Sequence, residues 1–267
     1  MNSSQPAGLR LSLAAWSMHR MFAAHEIDQL GMVGLAAELG FEGLELVNTF
    51  FPSPQYVYLK QLRQTALDAG IAIPLIMCDG EGDMASPDAA ERAVSVRMHQ
   101  KWLDVAALLG CSAVRVNVRG TEPSQPREGL ERATESFAAL CDRAAEAGLD
   151  VLIENHWGLS SQPDWLMELQ RRVGRPNFGT LPDFGNFPPE VDRYDAIETM
   201  LPRARAVSAK CYDFDEQGNE VRYDYPRIMQ MVKASGYRGF VGVEYEGKAL
   251  GEREGIIAGK RLVERLI

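Results

Sequence analysis

Three acidic residues in the second half of the chain follow short apolar segments. Glu154 comes directly after Val-Leu-Ile, Glu244 comes after Gly-Val, and Asp183 ends the segment Phe178–Asp183. A carboxylate at the end of a buried segment is energetically costly unless it pairs with a cation or binds a metal. Divalent cations such as Mg, Mn or Zn accept such ligands. If the fold brings the three carboxylates together, the sequence therefore predicts a site for one divalent cation.

Apolar segments alternate with longer amphipathic helical patterns along the whole chain. The predicted strands are Arg10–Ala15, Gly43–Val47, Ala72–Cys78, Ser112–Val118, Asp150–Glu154, Phe178–Asp183, Ala204–Lys210 and Gly239–Glu244. Alternation of this kind predicts a parallel α/β sheet, and eight units predict a single (β/α)8 TIM barrel that forms one domain over residues 1–267. An open doubly wound sheet is the alternative, although no glycine-rich phosphate-binding motif follows the first strand.

In a TIM barrel the active site is built at the carboxyl ends of the strands. The same rule brings further polar side chains to that mouth, namely His19, Glu45, Arg115, Arg119, Asn155, His156, Asn186, Lys210 and Glu246. Side chains alternate along a strand, so Lys210 faces the same way as Ser208, and Glu246 the same way as Glu244. His99 falls within a helical pattern, which predicts a structural or solvated role.

The charge balance and the cysteines limit the possible partners. Lys and Arg number 28 against 37 Asp and Glu, which gives a net charge of −9 and argues against nucleic acid as a partner. No apolar run of membrane-spanning length and no basic amphipathic helix is present, so we expect no membrane partner. The four cysteines are dispersed without a CxxC pair, which is typical of a reducing compartment and predicts a cytoplasmic protein.

The chain resembles the sugar phosphate isomerase/epimerase family of xylose isomerase-like TIM barrels. The segments that carry the resemblance are GFEGLEL on the second strand, VLIEN on the fifth, LPDFGN on the sixth, VSAKCYD on the seventh and GVEYEG on the eighth. No single segment is very specific, but their order and spacing are, and together they cover essentially the whole chain.

The resemblance implies one divalent metal ion (Mn, Mg or Zn) whose ligands in this chain are Glu154, Asp183 and Glu244. Two imidazoles usual in the family are missing. The family commonly has His-x-Lys on the seventh strand, where this sequence has Ser208 followed by Ala and Lys210, and the family's Asp-x-x-His on the sixth strand ends in Asn186 here. The site is then three carboxylates with water, or it recruits His156, or it is weak, because the Lys210 ammonium opposes a cation.

Sugar isomerases and epimerases move a proton next to a carbonyl group, which requires a carboxylate base and a cation near the developing enolate oxygen. The resemblance therefore predicts a metal-dependent isomerase or epimerase acting on a keto- or aldose sugar. The expected catalytic residues are Glu154, Glu244, Lys210 and His156. The residues expected to bind the sugar are His19, Glu45, Arg115, Asn155, Asn186 and Glu246.

Two other functions stay open. A dehydratase or hydratase acting on a keto-sugar or keto-cyclitol forms the same enolate, and His156 or Lys210 would then serve as the acid at the leaving hydroxyl. Loss of metal ligands would instead produce a non-catalytic sugar-binding barrel. In each case the partner is a small-molecule sugar or sugar derivative, and barrels of this kind often associate into homo-oligomers.

Overall fold

The sheet of this protein consists of eight parallel strands, in a computed structural model that describes residues 8–118 and 125–267. The strands are β1 (Arg10–Ala14), β2 (Gly43–Val47), β3 (Leu75–Cys78), β4 (Ala113–Val116), β5 (Asp150–Glu154), β6 (Phe178–Leu181), β7 (Val207–Cys211) and β8 (Phe240–Tyr245). A helix follows each strand, as the alternating pattern predicts. The (β/α)8 TIM barrel is therefore confirmed.

The strand order around the barrel is β6-β5-β4-β3-β2-β1-β8-β7. The sheet thus closes through the pairing of β1 with β8 and narrows between β6 and β7. Between these two strands the pairing is limited to two isolated β-bridges, Thr180 with Ala204 and Asp183 with Ser208. The barrel is therefore nearly closed, and the second bridge places Ser208 directly beside Asp183 at the carboxyl ends of the strands.

Nine α-helices in the described ranges form the outer layer. They are α1 (His19–Ala23), α2 (Gln29–Glu38), α3 (Tyr56–Asp68), α4 (Ala89–Leu109), α5 (Pro126–Glu146), α6 (Pro163–Val173), α7 (Arg193–Met200), α8 (Tyr225–Ala234) and α9 (Glu252–Glu264). The sequence predicts eight, and the additional one is the short α1, which shares the first unit with α2. None of the helices within these ranges is long and apolar enough to cross a membrane.

Strand β5 carries apolar residues on both faces until it reaches its carboxyl end. Val151, Leu152 and Ile153 of β5 are completely buried, since one face lines the barrel and the other contacts the helices. Glu154 follows as the last residue of the strand. Lys210 occupies the equivalent region of β7 and is also buried. The apolar segment of β5 therefore leads directly into a group of buried charged side chains.

Most predicted strand boundaries lie close to the observed ones, and β2 and β5 match at both ends. The third strand begins at Leu75 and not at Ala72. Pro74 precedes it and has no N–H group to donate to a sheet ladder, so regular pairing starts only after the proline. The seventh strand is shifted toward the carboxyl end relative to its prediction and ends at Cys211, which keeps Lys210 inside the strand.

Candidate active site

A cavity of about 410 Å³ opens at the carboxyl ends of the strands. Its volume lies within the range of small-molecule sites. Seven of the predicted site residues line this cavity, namely Arg115, Glu154, His156, Asn186, Lys210, Glu244 and Glu246. Trp16 and Trp157 contribute aromatic walls, and the Trp157 side chain is half exposed at the rim. The sequence therefore identifies most of the polar wall of this cavity.

The ammonium group of Lys210 lies in the middle of an acidic cluster. Its Nζ atom is 3.0 Å from Oε1 of Glu244, 3.5 Å from Oε2 of Glu246 and 3.9 Å from Oδ2 of Asp183. It also donates a hydrogen bond of 3.1 Å to Oδ1 of Asn186. The Lys210 side chain is only 3% exposed, so these oxygens, and not bulk water, surround its charge. A lysine at a barrel mouth often extends to the rim and into water, but Lys210 does not.

A second buried cation, Arg115 of β4, holds Glu154. The Arg115 Nε atom is 2.9 Å from Oε2 of Glu154, and its Nη1 atom is 2.6 Å from Oδ1 of Asp79. The side-chain amide of Asn186 donates a 3.0 Å hydrogen bond to Oε1 of Glu154. Because Asn186 also accepts from Lys210, its amide links the Glu154 carboxylate to the Lys210 ammonium.

Asp183 is completely buried, and both of its oxygens accept hydrogen bonds. Oδ1 accepts from the backbone N–H groups of Gly185 and Asn186, both at 2.8 Å, and Oδ2 accepts from the Ser208 hydroxyl at 2.7 Å. The first pair of bonds is the Asx-turn arrangement that an aspartate makes with the residues after it. Asp183 therefore shapes the loop that presents Asn186 and contributes negative charge beneath Lys210.

Burial and the neighbouring charges shift the proton affinities of the site. Burial raises the pKa of Glu154 to about 7 against the opposing effects of Arg115 and Lys210, and burial raises that of Glu244 to about 7 against Lys210. For Lys210, burial acts to lower the pKa, but Asp183 and Glu244 outweigh it and the pKa lies well above its ordinary value. The lysine is therefore an ammonium at neutral pH, where the two glutamates can exchange protons.

Three of the residues predicted to bind the sugar are not part of the cavity lining. The side-chain amide of Asn155 pairs with the backbone of Asp183 in both directions, at 2.9 and 2.8 Å, so it supports a loop. The ring of His19 stacks on Trp16 at 5.0 Å and its Nδ1 atom lies 3.4 Å from Glu252. In the structure neither Asn155 nor His19 lines the cavity, and direct contact of either residue with a sugar stays a prediction. Arg119 lies outside the described residues.

Glu45 is the third of these residues and lies deeper in the barrel. It accepts a 2.6 Å hydrogen bond from the Ser12 hydroxyl, and a Cβ atom on Gly242 would come within 2.6 Å of its oxygens. Burial raises its pKa to about 7. Glu45 contributes to a depression of about 920 Å³ at the opposite, amino-terminal end of the strands. That end of a TIM barrel is associated with stability, so the predicted sugar contact of Glu45 is not supported by its position.

Asp79, Asn117 and His99 line the cavity although none was among the predicted site residues. Asp79 directly follows the third predicted strand, so the rule that active-site residues lie at strand ends could have identified it. Asn117 follows β4 and donates to Asp79 at 2.9 Å. His99 projects from α4, its Nδ1 atom lies 2.8 Å from the carbonyl oxygen of Ser95, and burial lowers its pKa. His99 is buried and contacts its own helix, as a structural role predicts, and it also reaches the cavity wall, which no local sequence pattern indicates.

The three predicted metal ligands do not fit a metal ion in this arrangement. The Lys210 ammonium lies within 3.9 Å of both Asp183 and Glu244, and the Arg115 guanidinium lies 2.9 Å from Glu154. Within residues 8–118 and 125–267, no group of three or more His, Cys, Asp or Glu side chains is arranged to hold a metal. The side chains that would bind the cation thus already face two cations of the chain itself, and we derive no catalytic step through a metal.

Comparison with protein families gives one match that covers most of the chain. The family model described as xylose isomerase-like TIM barrel matches residues 33–265. Among curated proteins, the alpha subunit of a C-glycoside deglycosidase from Arthrobacter globiformis is 45% identical over 60 residues. That stretch is 21% of this chain and only 17% of the relative, so it concerns a small part of that protein.

Two solved structures of similar fold cover almost the entire chain. A D-allulose 3-epimerase from Methylomonas sp., in complex with D-allulose, superimposes with a TM-score of 0.78 at 15% identity and covers 100% of both chains. The probable 3-DHS dehydratase AsbF from Bacillus anthracis has a TM-score of 0.69 at 17% identity and covers 96% of this chain and 98% of its own. At these identities the likeness concerns the fold.

Proposed function

Because the chain belongs to the family of xylose isomerase-like TIM barrels, we propose that it is an enzyme that isomerises or epimerises a keto- or aldose sugar. The reaction is removal of a proton from the carbon next to the carbonyl group and its return at another position or on another face. One observation carries the proposal. Two hydrogen bonds and an ion pair connect Glu154, Asn186, Lys210 and Glu244, in that order, along the wall of a cavity at the carboxyl ends of the strands.

The two glutamates supply the proton transfer. Glu154 projects from β5 and Glu244 from β8, so the carboxyl groups reach the cavity from different sides of the barrel. A general base works best when its pKa lies near the working pH, and burial gives both carboxyls a pKa of about 7. One glutamate in its ionised form takes the proton, and the other in its protonated form is placed to return one.

The cavity also offers groups that suit a sugar. Asn186 and Asn117 present side-chain amides, which can exchange hydrogen bonds with hydroxyl groups. The rings of Trp16 and Trp157 provide apolar surface for the C–H face of a sugar ring. The similar fold of an epimerase solved with D-allulose supports a keto-sugar as the substrate class.

A dehydratase or hydratase acting on a keto-sugar or keto-cyclitol is the second candidate. His156 and Lys210 both line the cavity, and either can protonate a hydroxyl as it leaves from the carbon beyond the enolate. The fold shared with a probable dehydratase favours the same alternative. The first step is common to both candidates, because each begins with the loss of a proton next to a carbonyl group.

The decisive experiment measures that first step directly. The protein is incubated in D₂O with ketohexoses, ketopentoses, aldoses, their phosphates and keto-cyclitols, and deuterium uptake is followed by NMR and mass spectrometry. An isomerase or epimerase gives deuterium at the carbon next to the carbonyl together with a stereoisomer or positional isomer, whereas a dehydratase gives loss of water. Sugar binding without exchange for any compound would contradict the proposal and identify a sugar-binding barrel.

A further inference from the structure

We propose that the ammonium of Lys210 takes the place of the divalent metal ion, so that fixed cationic side chains stabilise the enolate in this barrel. The catalytic part of this inference rests on the proposed function. The occupation of the cation site by Lys210 does not depend on the proposed function, because metal binding can be measured without a substrate.

The surroundings of Lys210 have the composition of a cation site. Three carboxylates and one amide oxygen lie within 3.9 Å of its Nζ atom, and they come from the segment after β6, from β8 and from the residue following β8. The side chain is almost completely buried. An ammonium in such an oxygen cage neutralises the acidic cluster as a bound cation would, and a second cation in the same cage would be repelled.

The remaining predicted ligands are also engaged by the chain. Both Asp183 oxygens accept hydrogen bonds, from two backbone N–H groups and from the hydroxyl of Ser208. The residue at the position of the family's imidazole, Ser208, thus directs its hydroxyl to an acidic oxygen. Glu154 faces the guanidinium of Arg115 at 2.9 Å and the amide of Asn186 at 3.0 Å. A metal ion would have to displace two cations to reach the three carboxylates.

Lys210 is held in this position by its backbone and by its aliphatic stem. Lys210 pairs directly with Glu244 in the ladder between β7 and β8. Its carbonyl oxygen accepts hydrogen bonds from the hydroxyl groups of both Tyr223 and Tyr225. Its stem passes over Gly185 so closely that a Cβ atom there would lie 3.0 Å from Cδ and 3.1 Å from Cγ. The ammonium is therefore preorganised, which is the property that makes a charge effective in stabilising a transition state.

The chemical step needs no further reactant. A glutamate carboxylate takes the proton from the carbon next to the carbonyl group as the C–H bond breaks, and the electron pair of that bond forms the carbon–carbon double bond. The carbonyl π pair moves to oxygen, which gives an enolate. The Lys210 ammonium donates a hydrogen bond to that oxygen and keeps its proton. Return of a proton to carbon restores the carbonyl group and the carboxylate.

The test is a titration with Mn²⁺, in which the EPR signal of the hexaaqua ion reports metal that is not bound. Chelator-treated wild type and Lys210→Met are titrated to millimolar Mn²⁺, together with a double variant carrying Lys210→Met and Ser208→His. We expect the wild type to leave the signal unchanged and the double variant to bind one ion per chain. Lys101→Met is the matched control, because Lys101 also pairs with a glutamate of the cavity wall, Glu81 at 3.0 Å, but lies outside the cluster. It should gain no binding.

Two results would overturn the inference. One is stoichiometric binding by the wild type that Glu244→Gln abolishes, and the other is a folded double variant, verified by circular dichroism, that binds no metal. The wild-type titration decides by itself if the variants do not fold. Once a substrate is identified, turnover should be unaffected by chelator, and Lys210→Met should lower kcat by about 10²–10³-fold. Turnover that chelator abolishes would overturn this inference while leaving the proposed function standing.

Discussion

The ammonium nitrogen of Lys210 lies 3.0 Å from the carboxylate of Glu244, and the two residues are direct partners in the pairing of β7 with β8. Adjacent parallel strands thus present an acid–base pair on the inner surface of the barrel. The partnership explains why a lysine can be buried here, because the paired carboxylate offsets part of the cost of removing the ammonium from water. It also ties the position of the cation to the sheet register and not to a loop.

Replacement of either cavity glutamate should remove the proton-transfer group while keeping its shape. We expect Glu154→Gln and Glu244→Gln each to lower kcat by about 10²–10⁴-fold, the usual contribution of a general base. Glu190→Gln, which alters an exposed glutamate away from the cavity, is the control and should retain full turnover. Steady-state kinetics on the substrate found by deuterium exchange measures the effect. Near-normal turnover in both cavity variants would exclude them as the base.

Removal of the Arg115 guanidinium should strongly destabilise the fold. Arg115→Met removes the guanidinium from beside the Glu154 and Asp79 carboxylates, and breaking a buried ion pair from one side costs about 3–5 kcal/mol. Arg127→Met is the matched control, because Arg127 and Glu131 form an exposed pair at 3.7 Å, a kind that contributes about 0–1 kcal/mol. Urea unfolding measures the free energy of unfolding of both variants. Equal, small losses of unfolding free energy in the two variants would show that Arg115 is not needed to balance the charge of the carboxylates.

The buried carboxyl of Glu45 should make stability depend on pH. Burial raises its pKa from 4.5 to about 7, so between these values the folded protein holds a proton that the unfolded chain releases. The free energy of unfolding must therefore fall as pH rises from about 4.5 to about 7. Glu45→Gln removes this component and should be more stable than wild type above neutral pH by up to about 3 kcal/mol, with little difference at acid pH. Parallel pH profiles for the two proteins would contradict the prediction.

A methyl group at Gly185 should displace Lys210. In Gly185→Ala the new Cβ would lie 3.0 Å from Cδ of Lys210, which is too close for both to keep their places. A displacement of a few tenths of an ångström relieves this contact, so we expect turnover to fall by less than the roughly 10²-fold that a 1 Å shift of a catalytic group produces. Gly34→Ala is the control, since nothing lies within 4 Å of its Cβ and it stands in α2. It should retain turnover and gain about 0.5–1 kcal/mol in unfolding free energy. Equal turnover of the two variants would show that the Gly185 contact is unimportant.

Local patterns in the sequence are sufficient for the barrel and for most of the polar wall. The alternation of apolar and helical segments predicts eight βα units, because each strand must be covered on both faces. A charged residue directly after such a segment, as with Glu154 and Glu244, must then face the mouth where strand ends converge. The alternation of side chains likewise predicts that Lys210 faces the same way as Ser208, and the structure shows that both are buried inside the barrel.

Which charges meet inside the barrel was decided by the tertiary structure alone. Lys210 contacts Glu244 because of the register between β7 and β8, and Arg115 reaches both Asp79 and Glu154 across neighbouring strands. His99 arrives from a helix, with nothing in its own segment to mark it. Hydrophobic periodicity specifies the face of a single element, whereas an ion pair depends on the distance between two elements. The sequence therefore determines that acids and bases share one mouth, and only the assembled barrel determines that a lysine lies among the acids.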